Sequence, residues 1–323
     1  MNKELKIITD FVDKTDSLSK DEKDILIKAV KSVDRELTIT SFKLDRTEKV
    51  KRTTGILLEE TIAELEKKRE AVVEQAKLIE QENERKTIEL EEARQLQLAM
   101  LPKELPQLPN LDIAVYMQTA TEVGGDYYDF HVGIDGTLTV VCGDATGHGL
   151  KAGTVVTITK SMFNNLASEE NILDNFAKIS NVIKGMKFRQ LAMCMVMMKI
   201  KNNKLLLSSA AMPPVLIYRN NNKEVEELSF EGMPLGAMKN FPYKLRESKL
   251  TRGDTILAYS DGLPELANKN GEMYGYERTI GEFQSVGGKE PEEIVNYLKD
   301  SASQWANGKA PDDDVTFVVI KVK

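Results

Sequence analysis

Apolar residues recur along this chain with two different periods, and the change from one to the other falls near residue 101. From Leu58 onward the positions step by four and three: Leu58, Ile62, Leu65, Arg69, Val72, Ala76, Ile79, Asn83, Lys86, Leu90, Ala93, Gln97 and Met100. Nine of these thirteen are apolar, and Glu, Lys and Arg fill the spaces between. That spacing predicts a helix with one apolar stripe. With Ile62 at position a of a heptad, Asn83 also falls at a, where a buried amide pair favours a two-stranded register. The polar seam residues Arg69, Asn83, Lys86 and Gln97 make any coiled coil a weak one, able to shift or loosen; the alternative is a single solvated helix packed on its own domain. Upstream, a short helix is predicted around residues 3–14, and Ser19-Lys20-Asp21-Glu22 has the form of a capping box opening the next one. Leu101-Pro102 ends the helix, and Pro106 and Pro109 predict an extended linker.

Beyond the linker the pattern shortens to strands. Residues 111–120 read as the first. Residues 127–132 and 137–142 read as a hairpin closed by Asp135-Gly136. Helical patterning covers 149–167 and 171–187. A second hairpin, Gln190 to Ile200 and Lys204 to Ser209, turns through Asn202-Asn203. Further strands are expected near 214–219, 254–260 and 314–322, and helices near 276–284 and 290–305. Hairpins interleaved with paired helices predict an α+β domain with antiparallel sheets. The division expected is a helical regulatory region at 1–57, a coiled-coil linker helix at 58–101 and a catalytic domain at 102–323.

Composition supports the border. All ten prolines lie at or after Pro102, and of 20 glycines only Gly55 falls in the first hundred residues. Of those hundred residues 43 are charged, against 52 of the other 223. A net charge of −7 over 323 residues, with no block of like charge, argues against nucleic acid or an anionic membrane as main partner. Two cysteines, Cys142 and Cys194, exclude a disulfide scaffold and a Cys-rich zinc module, and fit a reducing cytoplasm. Two histidines, His131 and His148, cannot build a multi-His metal site. The longest apolar run, Leu191 to Met198, is far short of a membrane span, and MNKELKIITD carries no signal segment. A cytoplasmic protein without membrane insertion is expected.

The candidate chemistry sits where acidic residues meet glycines at strand ends. Four such places occur: Gly124-Gly125-Asp126-Tyr127-Tyr128-Asp129, Gly143-Asp144-Ala145-Thr146-Gly147-His148-Gly149, Tyr259-Ser260-Asp261-Gly262 and Asp312-Asp313-Asp314-Val315. Each alone reads as an ordinary turn. Together they can bring carboxylates to one sheet edge, and such a cluster is costly unless cations neutralise it. Oxygen donors without His or Cys select hard cations, Mg²⁺ or Mn²⁺.

In this order the stretches resemble the type-2C metal-dependent protein phosphatases (the PPM family), in the bacterial SpoIIE/RsbU-like branch. The matching text is QLAMLP at 97–102, GGDYYDF at 124–130, GDATGHGLKAG at 143–153, MPLG at 233–236, GDTILAYSDGLPE at 253–265, YGYER at 274–278 and DDVTFVV at 313–319. The resemblance implies an αββα sandwich, two antiparallel sheets flanked by helices. It implies hydrolysis of phosphoserine or phosphothreonine on a protein with two Mn²⁺ or Mg²⁺ ions. Carried over by position, Asp144 is the bridging carboxylate, the Ala145 carbonyl adds a ligand, Asp261 and Asp313 complete the site, and Asp126 binds metal directly or through water. Asp144, Asp261 and Asp313 are thereby the catalytic residues, acting through the activated water. Asp129 and Asp314 are further candidates; for Asp129 a plain strand-end role competes. The branch implies a phosphorylated STAS-domain protein, an anti-anti-sigma factor, as substrate, with sigma-factor release through partner switching and an upstream activator protein. A homodimer through the N-terminal helices completes the expectation.

Two departures from the family pattern stand out. Ala211-Met212 precedes Pro213-Pro214 where many relatives have Gly-His, and no arginine marks the phosphate clamp. His148 is expected to order its turn rather than serve as a general acid. Residues 143–151 lack the P-loop register, Ser260 lacks a nucleophile elbow, and both cysteines read as core. Rival functions are a phosphoprotein-binding module with little turnover and a hydrolase of small phosphoesters.

Overall fold

The computed structural model describes residues 1–120, 123–187 and 191–323. The chain falls into two compact units, Met1–Asn83 and Glu84–Lys323. In the first, helix α1 (Lys3–Lys14) packs beside the start of α2 (Lys20–Met100), with the Asn2 amide donating to Asp34 Oδ1 and Lys23 Nζ to the Asp13 carbonyl. The capping box is formed: the Ser19 amide donates to Glu22 Oε2 at 2.9 Å and the Glu22 amide to Ser19 Oγ at 3.4 Å. No break marks residues 57–58; the lone Gly55 is carried inside α2. Its apolar side chains, among them Phe42, Leu58, Val72 and Ile79, are exposed.

The second unit is a four-layer sandwich. Strands β1 (Leu111–Gln118), β2 (Asp126–Val132) and β3 (Leu138–Ala145) are followed by helices α3 (Leu150–Leu166) and α4 (Ile172–Gly185). Then come β4 (Met193–Lys201), β5 (Lys204–Ala210), β6 (Val215–Arg219), β7 (Glu224–Leu228), β8 (Arg246–Lys249) and β9 (Thr255–Tyr259). Helices α5 (Tyr276–Val286) and α6 (Pro291–Ala306) and strand β10 (Val315–Val322) close the chain. One antiparallel sheet has the order β1-β10-β9-β6-β7, the other β2-β3-β4-β5-β8. The expected fold class is thus the observed one.

Strand alternation explains the layers. Val140, Cys142, Val196, Met198 and Ile200 meet Ile217, Ile256, Val318 and Ile320 between the sheets. The alternate residues of the same strands, Val141, Met193, Met195 and Met197, pack under α3 and α4. Leu257, Phe317 and Val319 pack under α5 and α6. A strand covered on both faces needs an unbroken apolar run, which is what residues 191–198 supply. The methionines there are core, as expected from their softness. The expected start of that hairpin at Gln190 lies outside the described residues.

Sequence patterning passes over β7 and β8. Both are edge strands whose side chains are mostly charged, Glu224, Glu226, Glu227 and Arg246, Glu247, Lys249. Charge on an edge blocks strand addition and also erases the apolar alternation.

Candidate metal centre

Antiparallel pairing places Asp126 of β2 opposite Asp144 of β3, and Asp144 opposite Cys194 of β4. All three share the face turned toward the other sheet. From that sheet Ser260, just past β9, and Thr316 at the head of β10 reach across: Ser260 Oγ donates to Asp126 Oδ2 at 2.8 Å and Thr316 Oγ1 donates to the same oxygen at 2.6 Å. Asp126 is therefore the buried tie between the two sheets at this end.

Asp314 works differently from a free ligand. Its carboxylate accepts from the amides of Ala120 at 2.7 Å, Gly125 at 2.6 Å and Asp126 at 3.2 Å. It shapes the turn that delivers Asp126. Two motif glycines are explained by close approach. A Cβ at Gly125 would stand 2.6 Å from Asp144 Oδ1, and one at Gly262 would stand 1.9 Å from the Asp314 carbonyl oxygen.

Electrostatics mark the cluster. Burial, then Asp261, Asp313, Asp314 and Glu265, push the Asp144 carboxyl up to about 8. Asp126 is held well above the usual carboxylate range by burial and then by Asp144, with the Thr316 and Ser260 hydrogen bonds opposing. Asp261 is raised by burial and Glu265. Asp313 is raised chiefly by burial, with Asp261 and Asp314 adding to it and the exposed His148 opposing. Among the described residues none of these four carboxylates has a Lys or Arg ion-pair partner. Hence the residues fit divalent cations in donor chemistry: hard oxygens, anionic, mutually repelling and without an organic counter-charge. Among the described residues, no three His, Cys, Asp or Glu side chains stand close enough together to hold a metal ion as they are.

Asp129 lies elsewhere. Three residues on from Asp126 it points to the opposite face of β2, where it accepts from Tyr127 Oη at 2.6 Å and pairs with Lys160 Nζ of α3 at 2.5 Å. The Ala145 carbonyl sits beside Gly125, at the turn. Burial and the neighbouring aspartates push the Cys194 thiol up to about 12 and Cys142 well above its ordinary value, so both stay protonated and unreactive.

Three contributors escaped the sequence reading. Glu265, one turn beyond Asp261, adds charge to the cluster; the Asp261-x-x-x-Glu265 spacing was its signal. Thr316 was legible only as the second residue after Asp314. Gln97, read above as a seam residue, is 4% exposed and hydrogen-bonded to Gly124.

Two antiparallel sheets between helix pairs, with aspartates gathered at one end of the sandwich, define the fold of the type-2C phosphatases. The chain belongs to the SpoIIE family: the family model described as stage II sporulation protein E matches residues 134–323. It is similar to phosphoserine phosphatase RsbU of Bacillus subtilis, 25% identical over an alignment of 243 residues, with 73% of this chain and 70% of that one covered. The SiaA PP2C domain of Pseudomonas aeruginosa has a similar structure, with TM-score 0.66, 16% identity and coverage of 75% of this chain and 98% of that one. RsbX, solved in complex with magnesium, has TM-score 0.53 at 14% identity, covering 68% and 99%.

Proposed function

We propose that this chain is a divalent-metal-dependent protein phosphatase acting on phosphoserine or phosphothreonine. The observation that carries the reading is the gathering of Asp126, Asp144, Asp261 and the more exposed Asp313 at one end of the sandwich, without a Lys or Arg ion-pair partner among the described residues, in a SpoIIE-family domain. Asp144, Asp261 and Asp313, with the Ala145 carbonyl, would hold two Mn²⁺ or Mg²⁺ ions, and Asp126 would hold one of them directly or through water. Such ions, when bound, lower the pKa of water and polarise a phosphoryl group for in-line attack. The protein's own part is positional. Ser260 and Thr316 fix one oxygen of Asp126, Asp314 fixes the backbone beneath it, and the glycine at 125 lets that backbone close on Asp144.

The substrate in this reading is a phosphorylated STAS-domain protein of a partner-switching pathway, as in the branch the chain resembles. Turnover is governed through the N-terminal helices, which pair with those of a second copy; the exposed apolar stripe of α2 and the a-position Asn83 support that arrangement. Purified protein incubated with a phosphoserine STAS protein, with p-nitrophenyl phosphate and with nucleotides, with Mn²⁺ or with chelator, tests all of this. Metal-dependent release of phosphate from the protein substrate is expected. Binding without turnover would favour a phosphoprotein-binding module, and turnover of nucleotides alone a small-phosphoester hydrolase. Light scattering should give a dimer for the whole chain and a monomer for residues 102–323.

A further inference from the structure

At the far end of the β2–β3 hairpin from Asp126 and Asp144, the helix-facing side of the sheet turns polar. The residues in register across β2, β3, β4 and β5 are His131, Thr139, Lys199 and Leu206. On this face the rows nearer the carboxylates are covered by α3 and α4 and are apolar apart from the Asp129–Lys160 pair and Ser208. Here α3 has ended at Leu166 and α4 starts only at Ile172. The row is the floor of a cavity of about 1030 Å³, walled by the 133–137 turn, the connection after α3 and the 201–204 turn.

Lys199 is the unusual member. It is 8% exposed, and its Nζ donates to Thr139 Oγ1 and to the Ala167 carbonyl, both at 2.9 Å. Among the described residues no carboxylate is in ion-pair contact with it. Burial lowers its pKa from the ordinary lysine value, with Asp135, Glu170 and Glu169 opposing at longer range. The Ala167 carbonyl, just past the C-terminal end of α3, supplies a partial negative charge and not a full one. An ammonium has three N–H donors, and two are used. The other charged groups of the lining are Lys201, paired with Asp135; Lys204, paired with Glu247; and Glu170. Lysines outnumber acids in the lining. Ile134 at the turn is fully exposed and Leu206 lies half-buried on the floor, so an apolar surface borders the ammonium.

We propose that this cavity is a binding site for a small organic anion, its carboxylate or phosphate against Lys199 and its apolar body over Leu206 and Ile134. A buried ammonium without a counter-ion is costly, and an incoming anionic oxygen that takes the remaining donor recovers that cost with a charge-assisted hydrogen bond. The site is separate from the carboxylate cluster, which repels anions when no metal is bound.

Calorimetry on the full chain in metal-free buffer, with 1-naphthoate and 1-naphthyl phosphate as probes and neutral 1-naphthol as control, tests it. One saturable site per chain is expected for at least one anion, and the preferred arm tells carboxylate from phosphate. Lys199→Met should weaken that binding about tenfold, the loss of one charge-assisted bond. Because this change also uncaps α3, Ser168→Glu on the exposed rim provides a second variant that keeps Lys199 and should weaken binding by adding negative charge. Asp144→Asn should leave it unchanged. Absence of saturable anion binding, naphthol binding as tight as the anions, unchanged affinity in both cavity variants, or loss of binding in Asp144→Asn would each overturn the proposal.

Discussion

Gln97 and Gly124 hold one another through both polar groups of each: Gln97 Nε2 donates to the Gly124 carbonyl at 2.7 Å, and the Gly124 amide donates to Gln97 Oε1 at 3.0 Å. Gly124 stands two residues before Asp126, so the last turns of α2 are tied to the backbone that presents a candidate ligand. Gln97→Leu leaves a buried amide and carbonyl unpaired, a cost of about 1–3 kcal/mol each at most. It should lower the melting temperature of a fragment covering residues 84–323. In the proposed reading it should also uncouple catalysis from the helices: the unaltered full chain should differ in rate from residues 102–323, while the full-length variant and residues 102–323 should turn over at the same rate. A persistent difference between the variant and the isolated domain would place the coupling elsewhere.

The carboxylate cluster sets a pH dependence for the metal-free protein. Asp144 has its pKa raised from 3.8 in the ordinary state to about 8 in the fold, and Asp126, Asp261 and Asp313 shift the same way. The folded state therefore holds protons that the unfolded state has released, and stability falls as pH rises from about 4 through about 8. Melting of the metal-free protein should be highest near the acid end of that window, and Mn²⁺ should restore what is lost at pH 8.

Asp144→Asn removes one of the repelling charges. In metal-free buffer at pH 8 this variant should melt higher than the unaltered protein, while calorimetric Mn²⁺ titration shows its affinity lowered at least tenfold, the scale of losing a single ligand. Asp261→Asn should behave alike. Metal binding equal to that of the unaltered chain in either variant would remove that residue from the ligand set.

Asp129→Asn offers the contrasting case, since its partners are Tyr127 and Lys160 rather than the cluster. Breaking this largely buried pair leaves the part-buried Lys160 without its counter-charge and should cost about 3 kcal/mol of stability at most. Mn²⁺ affinity, read by the same titration, should not change.

Gly262→Ala places a methyl group 1.9 Å from the Asp314 carbonyl oxygen, which backbone cannot yield without moving. Both stability and phosphatase activity should fall, and a circular-dichroism melt beside the Mn²⁺-dependent assay reads the two losses. An alanine variant as active as the unaltered chain would mean that the strand end carrying Asp261 is freer than its packing implies.

Much of this molecule was legible from residue order because the relevant signals are local. Among the described residues the alternating and continuous apolar runs located eight of ten strands, the Asp135-Gly136 and Asn202-Asn203 turns named the β2–β3 and β4–β5 hairpins, and Ser19 with Glu22 marked the start of α2. The glycine–aspartate spacing likewise pointed to Asp126, Asp144 and Asp261 as candidates, and close approach explains the glycines there: Gly125 passes the Asp144 carboxylate, Gly143 the Cys194 carbonyl and Gly262 the Asp314 carbonyl. Tertiary structure alone decided what depends on meetings across long sequence distance. Asp126 and Asp129 look equivalent in GGDYYDF, yet strand alternation sends one to Ser260 and Thr316 and the other to Lys160. Asp313 and Asp314 are neighbours, yet only Asp314 is consumed by the amides of Ala120, Gly125 and Asp126. Gln97 fits a helical seam by period and is instead paired with Gly124, because a 4-3 repeat states which face is covered and not what covers it.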